Sequence, residues 1–417
     1  MTNPVIFPSA QATDPIALGW MQGAPPPADK LIQYADSSFY KFPQLRWSFS
    51  NMRQLRPSTQ IARGGAVCAL PYALRDDLDA VSSRVMFTDV SQTWGEAFDA
   101  NYTDGIVVLH RGRVVYERYA GALDAAGQHI AHSVTKSFVG TMAASLLVEG
   151  ALDDTRLVSY YVPELAQSGL GSATLRQVMD MTSGIRYSEN YADPKAEVFD
   201  FVRAGGVFPR PADYSGPTTF YEILCAIEPE GKHGQAFTYK TVNTDTLGWV
   251  IRRITGLSLG QNLSQRIWRK LGAEQDAYFL VDTEGTEFAG GGLNAGLRDM
   301  ARFGEAMRLG GRFNGQQIVA TSVVEDIMRG ASKSDFAQAG YLTLPGWSYR
   351  NMWWNSHNNH GAFMARGVHG QAIYIDPKAE MVIARFGSHP MAANMYIDPT
   401  SLPAYEALAQ YLVANPG

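Results

Sequence analysis

A chain of 417 residues, 46% hydrophobic and 18% charged, can bury a sizeable core, which excludes global disorder. Its formal net charge of −5 provides no electrostatic footprint for nucleic acid or an anionic membrane surface. The two cysteines, Cys68 and Cys225, exclude a disulfide framework or a Cys-rich metal centre and read as free thiols in a reducing compartment.

In chain order, residues 1–75 are rich in Pro, Ser and aromatics with weak periodicity, and read as an extended arm laid over the body. They do not open with a basic segment and a long apolar run, and no apolar run in the chain reaches the length needed to span a bilayer. The expectation is a soluble cytoplasmic protein with no membrane association. Between 104 and 120, Ile106-Val107-Val108-Leu109 and Val114-Val115-Tyr116 flank Arg111-Gly112-Arg113, the pattern of a β-hairpin. Next, Val134, Phe138, Met142 and Leu146 recur at four-residue spacing and Gly150 closes the run, predicting a helix buried along one face.

Residues 156–284 contain further helical patterns over 175–181, 220–227, 244–254 and 259–271, and few long strands. After Gly290-Gly291-Gly292 another helix is expected. A strand is predicted over 347–354, a hairpin from 368–376 and 380–387, and a closing helix over 401–414. The organisation is therefore α/β (α+β): an antiparallel sheet flanked by helices, from 76–155 and 285–417, with 156–284 as an inserted, mainly helical lobe.

Two Ser-x-x-Lys tetrapeptides occur, Ser38–Lys41 and Ser133–Lys136. The first precedes Pro43 and no helix follows it, so it lacks the rigid support that a Ser–Lys pair needs. The second opens the helix. Positions i and i+3 are neighbours there, the first-turn N–H groups are unpaired, and the positive end of the dipole favours a developing oxyanion. A free Lys titrates at about 10.4 and is a poor base at neutral pH, but burial would lower it. The alternative for this segment alone is an N-capping Ser and a solvated Lys. Tyr239, just before the helical run TDTLGWVIRRITG, supplies a third group able to relay a proton; alone, it could equally be an aromatic anchor on the core.

The segments HSVTKSFVGTMAASLLVEGALDD, YVPEL, LRQVMDMTSGI, FTYKTVNTDTLGWVIRRITG, GGGLNAGLRDMARFG and GVHGQAIYIDP resemble, in order, the penicillin-recognising serine hydrolases. That superfamily includes class C β-lactamases, D-alanyl-D-alanine carboxypeptidases and family VIII carboxylesterases. The wording from Met179 to Val198, M-D-x-x-S-x-x-Y-x-E-x-Y-x-D-P-x-x-E-V, is similar to that of the 6-aminohexanoate-dimer (nylon-oligomer) hydrolases. The resemblance implies a β-lactamase/DD-peptidase-like fold and a serine hydrolase without metal or cofactor. By it, Ser133 is acylated, Lys136 activates it and Tyr239 is the second acid/base. The backbone N–H groups of Ser133 and of Val368, in the stretch Gly367–Gly370, form the oxyanion hole. Tyr191, Thr241, Trp354 and His369 are candidate substrate contacts. A small-molecule ester or amide is the expected partner, and the aromatic arm could serve a homodimer.

The chain departs from that pattern at three places. Thr241 replaces the Asn or Ser of Y-x-N. Ala365-Arg366-Gly367 replaces K-T-G and lacks the lysine that helps hold the carboxylate of β-lactams and peptides. In the nylon-oligomer enzymes an Asp-bearing stretch contributes to substrate binding; the matching stretch here is Phe199-Asp200-Phe201-Val202. Within enzymes the rival is a family VIII carboxylesterase with little amidase activity, and from another class, a catalytically silent binding protein. Gly256-Leu257-Ser258-Leu259-Gly260 matches a nucleophile elbow, but Gly256 ends a helical run, so Ser258 is expected to cap the next one. His357 and His360 have metal-like spacing in a polar loop without an evident carboxylate.

Overall fold

Seven antiparallel strands make the main sheet of the computed structural model, which describes residues 7–191 and 193–416. In spatial order they are Ser348–Arg350, Trp353–Asn355, Phe363–Gly367, Gln371–Asp376, Met381–Gly387, Thr103–His110 and Arg113–Tyr119. The seam between early and late parts of the chain is the pairing of Thr103–His110 with Met381–Gly387. These central strands are rich in Val and Ile and buried throughout, because helices cover both faces.

Helix Leu297–Arg308 lies on the face bearing Ile373 and Val382. A Cβ on Gly304 would come within 2.5 Å of the Val382 side chain, so glycine sets the approach. Side chains alternate along a strand, and Tyr374 accordingly meets Tyr405 of helix Asp398–Ala414 on the opposite face.

Helix Val134–Val148 is buried on nearly every side. It presses on the turn between the first two strands of the sheet. A Cβ on Gly140 would stand 2.2 Å from the Asn351 carbonyl oxygen, and Ser137 donates to the Met352 carbonyl at 2.7 Å. The turn divides what the sequence suggested was one strand over 347–354. Asn351 and Met352 both have positive φ (51° and 64°), so the chain reverses there and Ser348–Arg350 pairs with Trp353–Asn355.

The arm is not extended. It is built of short helical turns, including Ser38–Tyr40 and Leu45–Ser48, because Phe39, Leu45, Trp47, Phe49 and Met52 must converge on a second apolar cluster with Ile130, Tyr278 and Leu280. Ser58–Ile61 then pairs with Ala277–Leu280 in a four-stranded sheet with Leu293–Ala295 and His129–Ile130. A buried network locks the arm to the body. Arg46 Nη2 lies 3.4 Å from Asp104 Oδ1, Ser388 donates to the same oxygen at 2.8 Å, and His129 Nε2 lies 3.2 Å from Asp104 Oδ2.

Ser258 caps Leu259–Leu263 through a capping box with Gln261. Cys68 and Cys225 are free. His360 does have a carboxylate, Asp376, at 2.8 Å, whereas His357 bonds Ser348. Among the described residues, no helix is long and apolar enough to cross a membrane.

Arg46→Ala would leave Asp104 buried without its cation. We expect a loss of about 3–5 kcal/mol, read as a lower urea midpoint. A midpoint unchanged from the wild type would show that the network does not hold the arm.

Candidate active site

Ser133 stands at the N-cap of the buried helix Val134–Val148, and Lys136, one turn on, lies beneath it. Lys136 Nζ is 3.0 Å from Ser133 Oγ and donates to the Gly290 carbonyl oxygen at 2.6 Å. The amine is almost wholly enclosed (1% exposed). Burial pulls its pKa down from 10.5 to about 8, against the opposing pull of Glu189 and Asp245. A base that titrates near neutrality matches proton transfer at physiological pH.

The first turn of the glycine run makes this geometry possible. A Cβ at Gly290 would come within 2.3 Å of Thr241 Cγ2 and 2.6 Å of Asp245 Oδ2. The Gly290 peptide thus bridges two charges: its carbonyl receives Lys136 and its N–H donates to Asp245 Oδ1 at 3.3 Å. Burial raises the Asp245 carboxyl to about 8. The Glu189 carboxyl is also raised, chiefly by burial, and accepts the Thr241 N–H at 2.7 Å.

Tyr239 lines the same cavity as Ser133, and its ring centroid lies 5.1 Å from Lys136 Nζ. Burial first, then Glu189, holds its hydroxyl well above 10, so this group keeps its proton and can serve as a donor. Trp354 stacks on it at 5.5 Å and 28°.

The backbone N–H groups of Ser133 and Val368 have no acceptor among the described residues. Val368 does not lie in a strand. The strand ends at Gly367, and Val368–Gly370 form a single helical turn in which His369 has φ 61°. This turn breaks the ladder, which leaves an N–H that a strand partner would otherwise occupy. His369 Nδ1 faces the His389 carbonyl at 2.7 Å, so it carries the proton; Nε2 then accepts from Tyr40 at 3.2 Å. Burial lowers the His369 pKa to about 4, so the ring is neutral.

Two cavities flank Ser133. The first, about 350 Å³, is lined by Tyr239, Trp354, Glu189, Arg366 and Asp398. The second, about 310 Å³, is lined by His369, Thr241 and a group of aromatic side chains from the arm and from residues 199–208. Tyr191, 40% exposed, and Val368 border both.

The sequence candidates Ser133, Lys136, Tyr239, Tyr191, Thr241, Trp354, Val368 and His369 thus surround one cleft. Sequence reasoning missed Glu189, Asp245, Arg366 and Tyr40. Glu189 was within the tyrosine-rich wording. Tyr40 sits inside the discarded tetrapeptide, whose Ser38 bonds the Gln33 backbone and whose Lys41 is exposed. Arg366 pairs closely with Asp398, and its Nη1 has no partner among the described residues.

A family model described as Beta-lactamase matches residues 102–390. The chain is 32% identical over 389 residues to the 6-aminohexanoate-dimer hydrolase of Paenarthrobacter ureafaciens, covering 93% of this chain and 92% of that one. The solved structure of a candidate 6-aminohexanoate-dimer hydrolase from Bacillus anthracis is similar at a TM-score of 0.83 and 35% identity, over 91% of this chain and 97% of the other. A family VIII carboxylesterase shares the fold at a TM-score of 0.57 and 19% identity, over 83% and 99% of the two chains.

If the Lys136 amine must be free to activate Ser133, labelling of Ser133 by a fluorophosphonate should rise with pH through a limb near pH 8. Ionised Asp245 favours the ammonium, so Asp245→Asn should lower the Lys136 pKa and move that limb to lower pH. A limb that stays put or moves upward would rule out this coupling.

Proposed function

Because the chain belongs to the beta-lactamase family and is a serine hydrolase, we propose that Ser133 is its nucleophile, Lys136 the base and Tyr239 the acid. The observation that carries this reading is the enclosed Lys136 amine 3.0 Å from Ser133 Oγ, with Tyr239 lining the same cavity as that serine. The substrate is a small linear or aromatic amide or ester.

The reaction proceeds in two halves. The neutral Lys136 amine takes the Ser133 proton as Oγ bonds the carbonyl carbon. The negative charge moves to the carbonyl oxygen, where the N–H groups of Ser133 and Val368 receive it; two preorganised donors lower the barrier by several kcal/mol. The C–N or C–O bond then breaks, and the leaving atom takes the Tyr239 proton, which the Lys136 ammonium restores. Water then attacks the acyl-enzyme and gives a proton to Lys136; the Oγ–C bond breaks, Ser133 Oγ takes that proton back and the acid is freed.

An ester makes a smaller demand on Tyr239, because an alkoxide or phenoxide leaves more readily than an amide anion. The carboxylesterase reading therefore shares every residue named and differs only in rates. The division into an arm (1–75), an α/β body (76–155 and 285–417) and a mainly helical lobe (156–284) accords with this site, to which all three segments contribute side chains.

Ser133→Ala should lower kcat by about four orders of magnitude or more on any substrate, with the thermal midpoint unchanged. Lys136→Met should cost at least about a thousandfold. A fluorophosphonate adduct, located by peptide mass spectrometry, should fall on Ser133. Folded protein without that adduct, or near-full activity of Lys136→Met at pH 7, would reject the mechanism.

A further inference from the structure

The two cavities beside Ser133 differ in charge. Glu189, Arg366 and Asp398 line the first. Around the second there is no Asp, Glu, Lys or Arg among the lining residues. Its walls are aromatic and aliphatic: Phe39, Phe42 and Phe49 from the arm, Phe199 and Phe208 from the helical segment, and Phe288. Asp200, the one carboxylate in the stretch 199–202, turns outward to Arg203 with its side chain 62% exposed.

Tyr239 distinguishes the ends of the substrate. A group that protonates the leaving atom must lie on the leaving-group side of the scissile bond. Tyr239 lines the first cavity and does not line the second. The first therefore receives the amine or alcohol, and the second, across Ser133, receives the acyl group.

We propose that the arm-walled cavity is the acyl compartment and selects an uncharged, apolar acyl group, aliphatic or aromatic, over one that ends in an ammonium. This rests on the Ser133 acyl-enzyme reading and names the substrate class of that site. An ammonium brought into the compartment loses its hydration and gains no carboxylate. The aromatic faces attract a cation less strongly than that lost hydration costs. The polar side chains that line it, Tyr40, His132, Ser133, Tyr191, Thr241 and His369, bring no carboxylate to balance that charge. Both nitrogens of His369 are engaged, and Tyr40 is committed to one of them. His132 Nε2 is enclosed and has no partner; burial and the neighbouring His369 keep that ring uncharged.

The test compares two amides with one leaving group, 6-aminohexanoate. One carries a heptanoyl group and the other 6-aminohexanoyl, which exchanges a terminal methyl for an ammonium at equal length. We expect kcat/KM for the heptanoyl amide to exceed that for the other by at least about 100-fold. The matching p-nitrophenyl esters should show the same order. Phe208→Ala should lower kcat/KM for both heptanoyl substrates about tenfold and leave their amide-to-ester ratio unchanged, since Phe208 lines only the acyl cavity.

Equal or faster cleavage of the aminohexanoyl substrates, with acylation of Ser133 retained, would overturn the compartment's selectivity and leave the hydrolase reading intact. A Phe208→Ala enzyme that changed the amide-to-ester ratio and not the acyl preference would reverse the assignment of the cavities. No acyl-enzyme at Ser133 from any of the four substrates, and no fluorophosphonate adduct, would remove both readings.

Discussion

The site depends on the burial of one amine. A lysine in water is charged and cannot act as a base at neutral pH; enclosed by an apolar helix, Lys136 approaches neutrality. The surrounding arrangement protects that condition. The helix is buried on nearly every side, Gly140 brings it hard against the sheet's edge turn, and Gly290 presents a carbonyl to the amine without a side chain in the way. Asp245 and Glu189 oppose the burial and keep the pKa from falling further. Too little burial would leave an ammonium; too much would leave an amine too weakly basic to hold the serine's proton.

Around that amine, chemistry and recognition separate cleanly. The groups proposed to move protons are Ser133, Lys136 and Tyr239, all held by helix ends. The cavities on either side come from other parts of the chain, charged on the side of Tyr239 and uncharged on the side of the arm. Arg366 shows how the charged side is organised. It occupies the middle of the tripeptide that replaces K-T-G, lies 5.0 Å from the Trp354 ring centroid and is held by Asp398. A cation has thus been retained on this strand, with a different side chain and a carboxylate to balance it.

Regular elements with strong periodicity were legible in the sequence: the hairpin at 104–120, the helix after Ser133, and the run from Leu259 to Leu271. The Ser–Lys pair was legible too, because i,i+3 spacing on a helix is a local property. Long-range features were not. Nothing in Trp353-Trp354 announces that Asn351 and Met352 reverse the chain, since neither is a glycine and the turn is enforced by the helix behind it. Glu189 and Asp245 acquire significance only through Lys136, which is distant in sequence. The arm was read as extended because its aromatics have no regular period. They are spaced to meet at a point, and such convergence leaves no periodic trace.

The arm lock joining Arg46 to Asp104 has a bearing on how such an enzyme diversifies. The wall of the acyl cavity comes from a segment remote in sequence from the nucleophile's helix, and it is anchored at a point away from its working face. Phe39, Phe42 and Phe49 face the cavity and also belong to or pack on the apolar cluster that shapes the arm, so a substitution that reshapes the cavity there also loosens that cluster, leaving the Arg46 anchor to hold the segment. Selectivity and folding are therefore written into the same side chains of the arm, and a change in one is read out in the other.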